Sequence, residues 1–349
     1  MSKTLGQLAV EFGCALRGEP ELQVTGVATL AGAGSGQVAF LANRRYLSQL
    51  RTTGATAVVV DAGAARDCPV AALICSNPYA TYARIAAQLH PTPAMLAGVH
   101  PSAVIDPSAE IHPTARIDAL AFVGARAVIG ERAQVGPGCV IEPGVRLGAD
   151  SHLVARVTLG RDVEIGPRSI LQPGAVIGSD GFGFAGEHGK WIKVPQLGRV
   201  IIGADVEIGA NTTIDRGAIE DTVIGDGVKI DNLVQIGHNV RVGAHSAIAG
   251  CVGISGSVTI GERCQIGGAV GIAGHLSIAD DVAVTGLSLV SKSLTEPGIY
   301  SSGVPAQGAE QWRRTIGRLR RLDATEARLA KLERSDTAVR SPDTASRHD

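Results

Sequence analysis

A histidine, a bare glycine and a second glycine with a histidine beside it recur at multiples of six along this chain. His238 lies in the segment QIGHNV, Gly256 follows eighteen residues later, and Gly274 with His275 beside it follows after thirty-six. Imidazole titrates near neutral pH, which makes His238 a candidate general base. A glycine N–H with no side chain in front of it is a candidate donor to a developing oxyanion. The pair fits acyl transfer to an amine or a hydroxyl with no covalent enzyme intermediate. Taken singly, a histidine of this kind is as well explained as a solvated surface residue, and only the shared spacing favours chemistry. His152, His188 and His245 have weaker cases. A zinc ion held by three histidines is the rival chemistry. The third ligand would follow His275 by five residues, where the chain carries Asp280. No local triplet completes a zinc set, and no metal is expected.

The spacing matters because of what positions it. Stepping by six from Val99 to Ile177 meets 14 aliphatic residues in 14 steps. The pattern resumes at Ile202, Ile208 and Ile214, then runs from Ile224 to Val290, 12 in 12. Glycine directly follows 14 of these 29 positions. A period of six fits neither an amphipathic helix nor an alternating strand. It fits a hexapeptide β-helix, in which three short strands and three turns make a triangular coil of eighteen residues. The aliphatic residue points inward and stacks on its equivalents, while glycine and small residues are expected at corners needing unusual backbone angles. One edge of the prism then carries His238, Gly256 and Gly274–His275, with neighbours about 5 Å apart. Residues 178–201 break the pattern and must loop outward, exposing Phe182, Phe184 and Trp191 either to a ligand or to another subunit. Between Ile214 and Ile224 one unit is four residues too long.

The flanks differ. Residues 1–98 lack the repeat and read as a small α/β domain, with strands at 57–61 and 71–75 and a helix at 77–89 capped by Asn77. Within FLANRRYLSQL, Phe40, Asn43 and Tyr46 are three apart. On a helix they would share a face and could sandwich a flat base; the plainer reading makes the two aromatics core residues. Residues 307–334 read as one amphipathic helix with Trp312, Ile316, Leu319, Leu322, Leu329 and Leu332 as its stripe, and 335–349 as a disordered tail. Five arginines fall in 313–321, which suits either a solvated face or an acidic protein partner.

Composition narrows the classes. Glycine numbers 45, against roughly 24 at average usage, and only 3% of residues are aromatic. The core must be Val, Ile, Leu and Ala. A net charge of −1 argues against nucleic acid. No apolar run reaches the roughly 18 residues of a membrane span. The six cysteines show no ligand spacing and read as small buried hydrophobes of a reducing compartment. The opening residues MSKTLGQLAVEFG lack a signal-peptide pattern, so a cytoplasmic protein is expected.

Several segments together resemble a known family. FLANRRY, SDGFGFA (179–185), TTIDRGAIEDTVIGDGVKIDNLVQIGHNV (212–240), GIAGHL (271–276) and TEPGIYSSGVP (295–305) are similar to bacterial UDP-3-O-(3-hydroxyacyl)glucosamine N-acyltransferases of lipid A biosynthesis. The resemblance covers nearly the whole chain. It implies a left-handed parallel β-helix between a uridine-nucleotide-binding domain and a C-terminal helix. It implies transfer of a 3-hydroxyacyl chain from acyl carrier protein to the 2-amino group of the UDP-sugar, by a homotrimer and without a cofactor. His238 is then the base, Gly256 the oxyanion donor, and His275 assists. Phe40 and Tyr46 hold the uracil with Asn43 near the nucleotide, and Asp231 and Asn232 join the substrate site, with Asp231 a candidate to orient a histidine of a neighbouring chain. Leu287 and Leu289 line an acyl groove, and Lys292, Arg313 and Arg314 meet the carrier protein. The alternatives are a related O-acyltransferase, a coenzyme A-dependent sugar N-acetyltransferase, and a non-catalytic nucleotide-sugar scaffold.

Overall fold

The inward aliphatic ladder closes into a prism. In a computed structural model, which describes residues 2–91 and 96–339 (the last five as backbone only), the chain forms two compact units divided between Met95 and Leu96. The second unit is a parallel β-helix. Its three faces hold eleven, ten and nine strands, and most strands are two residues long. Face I contains Gly98–Val99, face II Val104–Ile105 and face III Glu110–Ile111. Register steps by eighteen, as in Gln134 against His152 and Gly253 against Gly271. Where the repeat breaks, Glu164 pairs with Ile201 and Glu207 with Lys229, so the excursions leave the stack without shifting its register.

The ladder residues form one continuous core, with Val123, Ile141, Leu171, Ile214 and Ile236 wholly buried. Each short strand is too small to be stable alone, and its neighbours above and below supply the burial. The glycines work differently from the sequence expectation. The left-handed corner positions, three residues past each ladder residue, are mostly not glycine: Arg132, Asp150, Asn239, Ser257 and His275 all have φ near +60°. Glycine instead follows the ladder residue because the next coil presses on it. A Cβ on Gly136 would lie 1.9 Å from the Val154 carbonyl oxygen, and one on Gly166 would lie 2.4 Å from the Gly203 carbonyl carbon.

The first unit carries a five-stranded sheet with a parallel centre. Its strands Ala57–Val60 and Ala71–Ile74 and its helix Pro78–Leu89 fall where the sequence reading puts them, and the Asn77 side chain accepts from Ala80 N–H. The helical reading of 40–50 fails. Phe40 ends the strand Gln37–Phe40, Asn43 caps the short 3-10 turn Arg44–Tyr46, and a helix covers only Leu47–Leu50. Pairing of Val38, Ala39 and Phe40 with Ala57, Val58 and Val59 overrides the local spacing.

The C-terminal segment also differs. It is two helices, Ala309–Leu319 and Leu322–Val339, with Arg320 and Arg321 between them. The helix therefore runs five residues into the expected tail, and 340–349 lie outside the described residues. No helix among the described residues is long and apolar enough to cross a membrane. All six cysteines are free, and Cys251 is exposed at a corner rather than buried.

Candidate active site

The edge between faces II and III carries the catalytic candidates. His238 follows the strand Gln235–Ile236, and Gly256 follows Gly253–Ile254 one coil on. A Cβ on Gly256 would stand 2.6 Å from His238 Nε2. The two groups therefore face each other, and only glycine fits above the ring. Ser257 N–H donates to the His238 carbonyl at 2.9 Å, and His275 N–H to the Gly256 carbonyl at 3.1 Å, which fixes the column. Among the described residues, the Gly256 N–H donates to no protein group. His275 occupies the next turn position, above Ser257. Its ring is exposed and does not line the cleft beside His238.

That cleft, about 520 Å³, lies on face II. Its floor is bare because Gly253 and Gly271 stand outward in adjacent strands. Phe182 and Leu289 are its apolar walls, and Asp215, Gln235 and His238 its polar ones. Of the two leucines expected at an acyl groove, only Leu289 is here; Leu287 sits at the edge between faces I and II with φ +61°. Lys292 lines an adjoining depression that shares Leu289.

Which imidazole nitrogen of His238 carries the lone pair is fixed by Asn239, which sequence reasoning missed. His238 Nδ1 lies 2.9 Å from Asn239 Oδ1. That amide cannot be flipped, because its Oδ1 also accepts from Ala218 N–H at 3.0 Å and its Nδ2 donates to the Glu220 carbonyl at 2.8 Å. An acceptor opposite Nδ1 requires Nδ1–H, which leaves the lone pair on Nε2, facing Gly256. The four extra residues after Ile214 thus have a use: they supply the two backbone groups that hold Asn239. The signal was present as the over-long unit and as the Asn beside His238.

The outward excursion also bears on the site. It is a hairpin, Phe184–Glu187 against Lys190–Lys193, tied at its base by an Asp180–Lys193 ion pair. A Cβ on Gly181 would lie 2.8 Å from His238 Cβ, so the hairpin's stem packs on the imidazole from the side away from Asn239's clamp. Arg216 anchors that stem. It is 2% exposed; its Nε donates to the Gly198 carbonyl at 2.7 Å and its Nη2 to the Arg161 carbonyl at 3.1 Å. Burial, then the neighbouring Arg161, pulls its pKa below the usual guanidinium value.

Other expected site residues lie elsewhere. Asp231 and Asn232 occupy the edge between faces I and II, where Asp231 Oδ1 accepts from Asn232 N–H and Asn232 Oδ1 from Ala210 N–H. Asp231 lines a separate groove on face I with Lys229, His245 and Arg263. Among the described residues it binds no histidine; a whole face separates its edge from that of His238. In the first unit, Phe40 stacks on Tyr79 at 5.1 Å and meets Tyr82 at 4.3 Å. Tyr46 is 52% exposed, and Asn43 Oδ1 is engaged by Arg45 N–H at 3.0 Å. Arg313 and Arg314 are exposed on the helix Ala309–Leu319. No group of three metal-ligating side chains occurs among the described residues.

A triangular parallel coil with a histidine and a bare amide on one edge defines a hexapeptide-repeat acyltransferase. The family described as bacterial transferase hexapeptide (six repeats) matches residues 126–161 and 221–256. The family described as UDP-3-O-(3-hydroxymyristoyl) glucosamine N-acyltransferase matches residues 21–88, in the other unit. The UDP-3-O-acylglucosamine N-acyltransferase of Pseudomonas fluorescens strain Pf0-1 is 48% identical over 97% of this chain and 96% of its own length. That of strain SBW25 is 50% identical over 95% of this chain and 94% of its own. The solved UDP-N-acetylglucosamine acyltransferase of Francisella novicida is 23% identical, covering 63% of this chain and 74% of that one, with a TM-score of 0.48. The chain belongs to the UDP-3-O-acylglucosamine N-acyltransferase family.

Proposed function

We propose that this enzyme moves a 3-hydroxyacyl chain from the thioester of acyl carrier protein to the 2-amino group of UDP-3-O-acylglucosamine, in lipid A biosynthesis. The observation that carries the chemistry is His238 Nε2 lying 2.6 Å from where a Cβ on Gly256 would stand, so that the imidazole and a side-chain-free residue meet across one coil. The acceptor amine attacks the thioester carbon, and Nε2 takes its proton. Negative charge grows on the carbonyl oxygen, where the Gly256 N–H meets it, an effect of about 3 kcal/mol at comparable oxyanion sites. Collapse expels the carrier thiolate, which recovers the proton from His238. Nothing in these steps calls for a cofactor.

The first unit is assigned the uridine nucleotide, with Phe40, Tyr46 and the Asn43 turn at its surface. The acyl chain is assigned to the cleft wall at Leu289. Lys292 and the arginines at 313 and 314 are assigned to the acidic carrier. The working form is a homotrimer in the cytoplasm, in which a neighbouring prism covers the cleft and brings Asp231 and Asn232 toward a neighbour's His238.

The test is mass spectrometry of the product formed when acyl-carrier and coenzyme A thioesters of several chain lengths are offered together with UDP-3-O-acylglucosamine. A new amide made from the carrier thioester is the expected result. Acylation from coenzyme A alone, or at oxygen, would overturn the reading.

A further inference from the structure

Asp215 is the only carboxylate lining the His238 cleft among the described residues. It ends the strand Thr213–Asp215, whose Thr213 and Ile214 pair with Gln235 and Ile236, so it lies beneath Gly237, beside His238. The column above it is small: Gly237, Ser255 and Ala273. Each carboxylate oxygen is engaged once. Ser179 Oγ donates to Oδ1 at 2.8 Å, and Gln235 Nε2 to Oδ2 at 2.9 Å. A carboxylate accepts about four hydrogen bonds, so acceptor capacity remains. No lysine or arginine pairs with it among the described residues. Burial pushes its pKa above the ordinary carboxylate value, while Ser179, Gln235 and His238 favour the charged form.

We propose that Asp215 holds one N–H of the acceptor amine and thereby selects an amine over a hydroxyl. An amine nitrogen has two N–H bonds and one lone pair. With one N–H on His238 Nε2 and the other on Asp215, the lone pair is left for the thioester carbon. As the N–C bond forms and the C–S bond breaks, the proton on the His238 side passes through Nε2 to the departing sulfur. The N–H on the Asp215 side stays on nitrogen and becomes the N–H of the product amide. A hydroxyl has a single O–H, so it leaves one of the two acceptors facing a lone pair, and a site with an unpaired polar group rejects such a ligand. This inference rests on the proposed N-acyl transfer and adds its selectivity element.

The experiment compares kcat/KM for UDP-3-O-acylglucosamine with that for the analogue bearing a hydroxyl in place of the 2-amine, using one acyl-carrier donor. Asp215→Asn presents a donor where the carboxylate stood. The expected loss on the amine is about 10- to 100-fold, the weight of a hydrogen bond to a charged group, with the hydroxyl analogue changed by less than about threefold. An equal loss on both acceptors, or none on the amine, overturns the proposal. Calorimetry on the unaltered enzyme supplies a readout independent of the variant's folding: the amine should bind about tenfold more tightly than the hydroxyl analogue, and equal affinities overturn it. An unaltered enzyme that acylates neither acceptor would instead sink the proposed function.

Discussion

Gly256→Ala isolates the contact proposed to carry catalysis. Gly256 does not have a positive φ, so alanine adds no backbone strain. It adds one methyl, 2.6 Å from His238 Nε2, 2.7 Å from Cε1 and 3.0 Å from Cδ2. The ring must retreat by about 0.8 Å to reach an ordinary 3.4 Å contact. It cannot do so freely, because Nδ1 is held at 2.9 Å by Asn239 and a Gly181 Cβ position only 2.8 Å from His238 Cβ leaves no slack at the ring's root. A misplacement near 1 Å costs on the order of 10²-fold. The methyl also shields the Gly256 N–H from the oxyanion, so a combined loss in kcat of about 10²- to 10³-fold is expected. Stability should barely change, since the site is a surface corner. The control is Gly268→Ala, at the equivalent turn position on the other edge, where a Cβ would meet only the Gly250 carbonyl oxygen at 3.4 Å. Steady-state transfer assays beside thermal melting decide the matter. A Gly256→Ala enzyme with near-normal kcat would refute both the oxyanion role and the steric reasoning.

Further predictions follow from the same geometry. Asn239→Ala should lower kcat by at least about tenfold with little change in KM, by freeing Nδ1 and mixing the tautomers. Arg216→Lys keeps the charge but cannot span the Gly198 and Arg161 carbonyls, at a cost of about 2 kcal/mol. Limited proteolysis should then cut the 184–193 hairpin faster, and an unchanged digestion rate would remove the clamp. Along the edge between faces III and I, Arg132 pairs with Asp150 and Arg168 with Asp205, and hydrogen bonds from the arginines hold both carboxyls below their usual pKa. A carboxyl with a depressed native pKa stabilises above its unfolded value and loses that stability as pH falls through the native one. The melting temperature should therefore drop below about pH 4, and an Asp150→Asn, Asp205→Asn protein should show a shallower drop in acid; parallel curves would show that the pairs contribute nothing measurable.

The stack was legible because a period of six with an inward aliphatic at every step has one compact solution. The positions of His238 and Gly256 came with it, since eighteen residues return the chain to the same edge. The same arithmetic misplaced finer detail. It carries His275 to the same edge, but not the direction of its ring, which one step along the corner turn points to solvent. It assigned the glycines to corner angles, although the pressure of one coil on the next is what excludes a Cβ, and that pressure has no trace in a single strand. Phe40 lies on a strand and not on a helix, because three-residue spacing says nothing when a parallel neighbour claims the strand.

Sequence alone determined the prism, its register and the edge that carries His238 and Gly256, because these follow from local periodicity repeated many times. Tertiary structure alone decided which imidazole nitrogen is free, which carboxylate faces the cleft and what holds the hairpin's stem against His238. Asn239, Asp215 and Arg216 are each defined by partners from the excursions at 178–201 and 217–220, where the repeat fails and periodicity no longer fixes which residues meet.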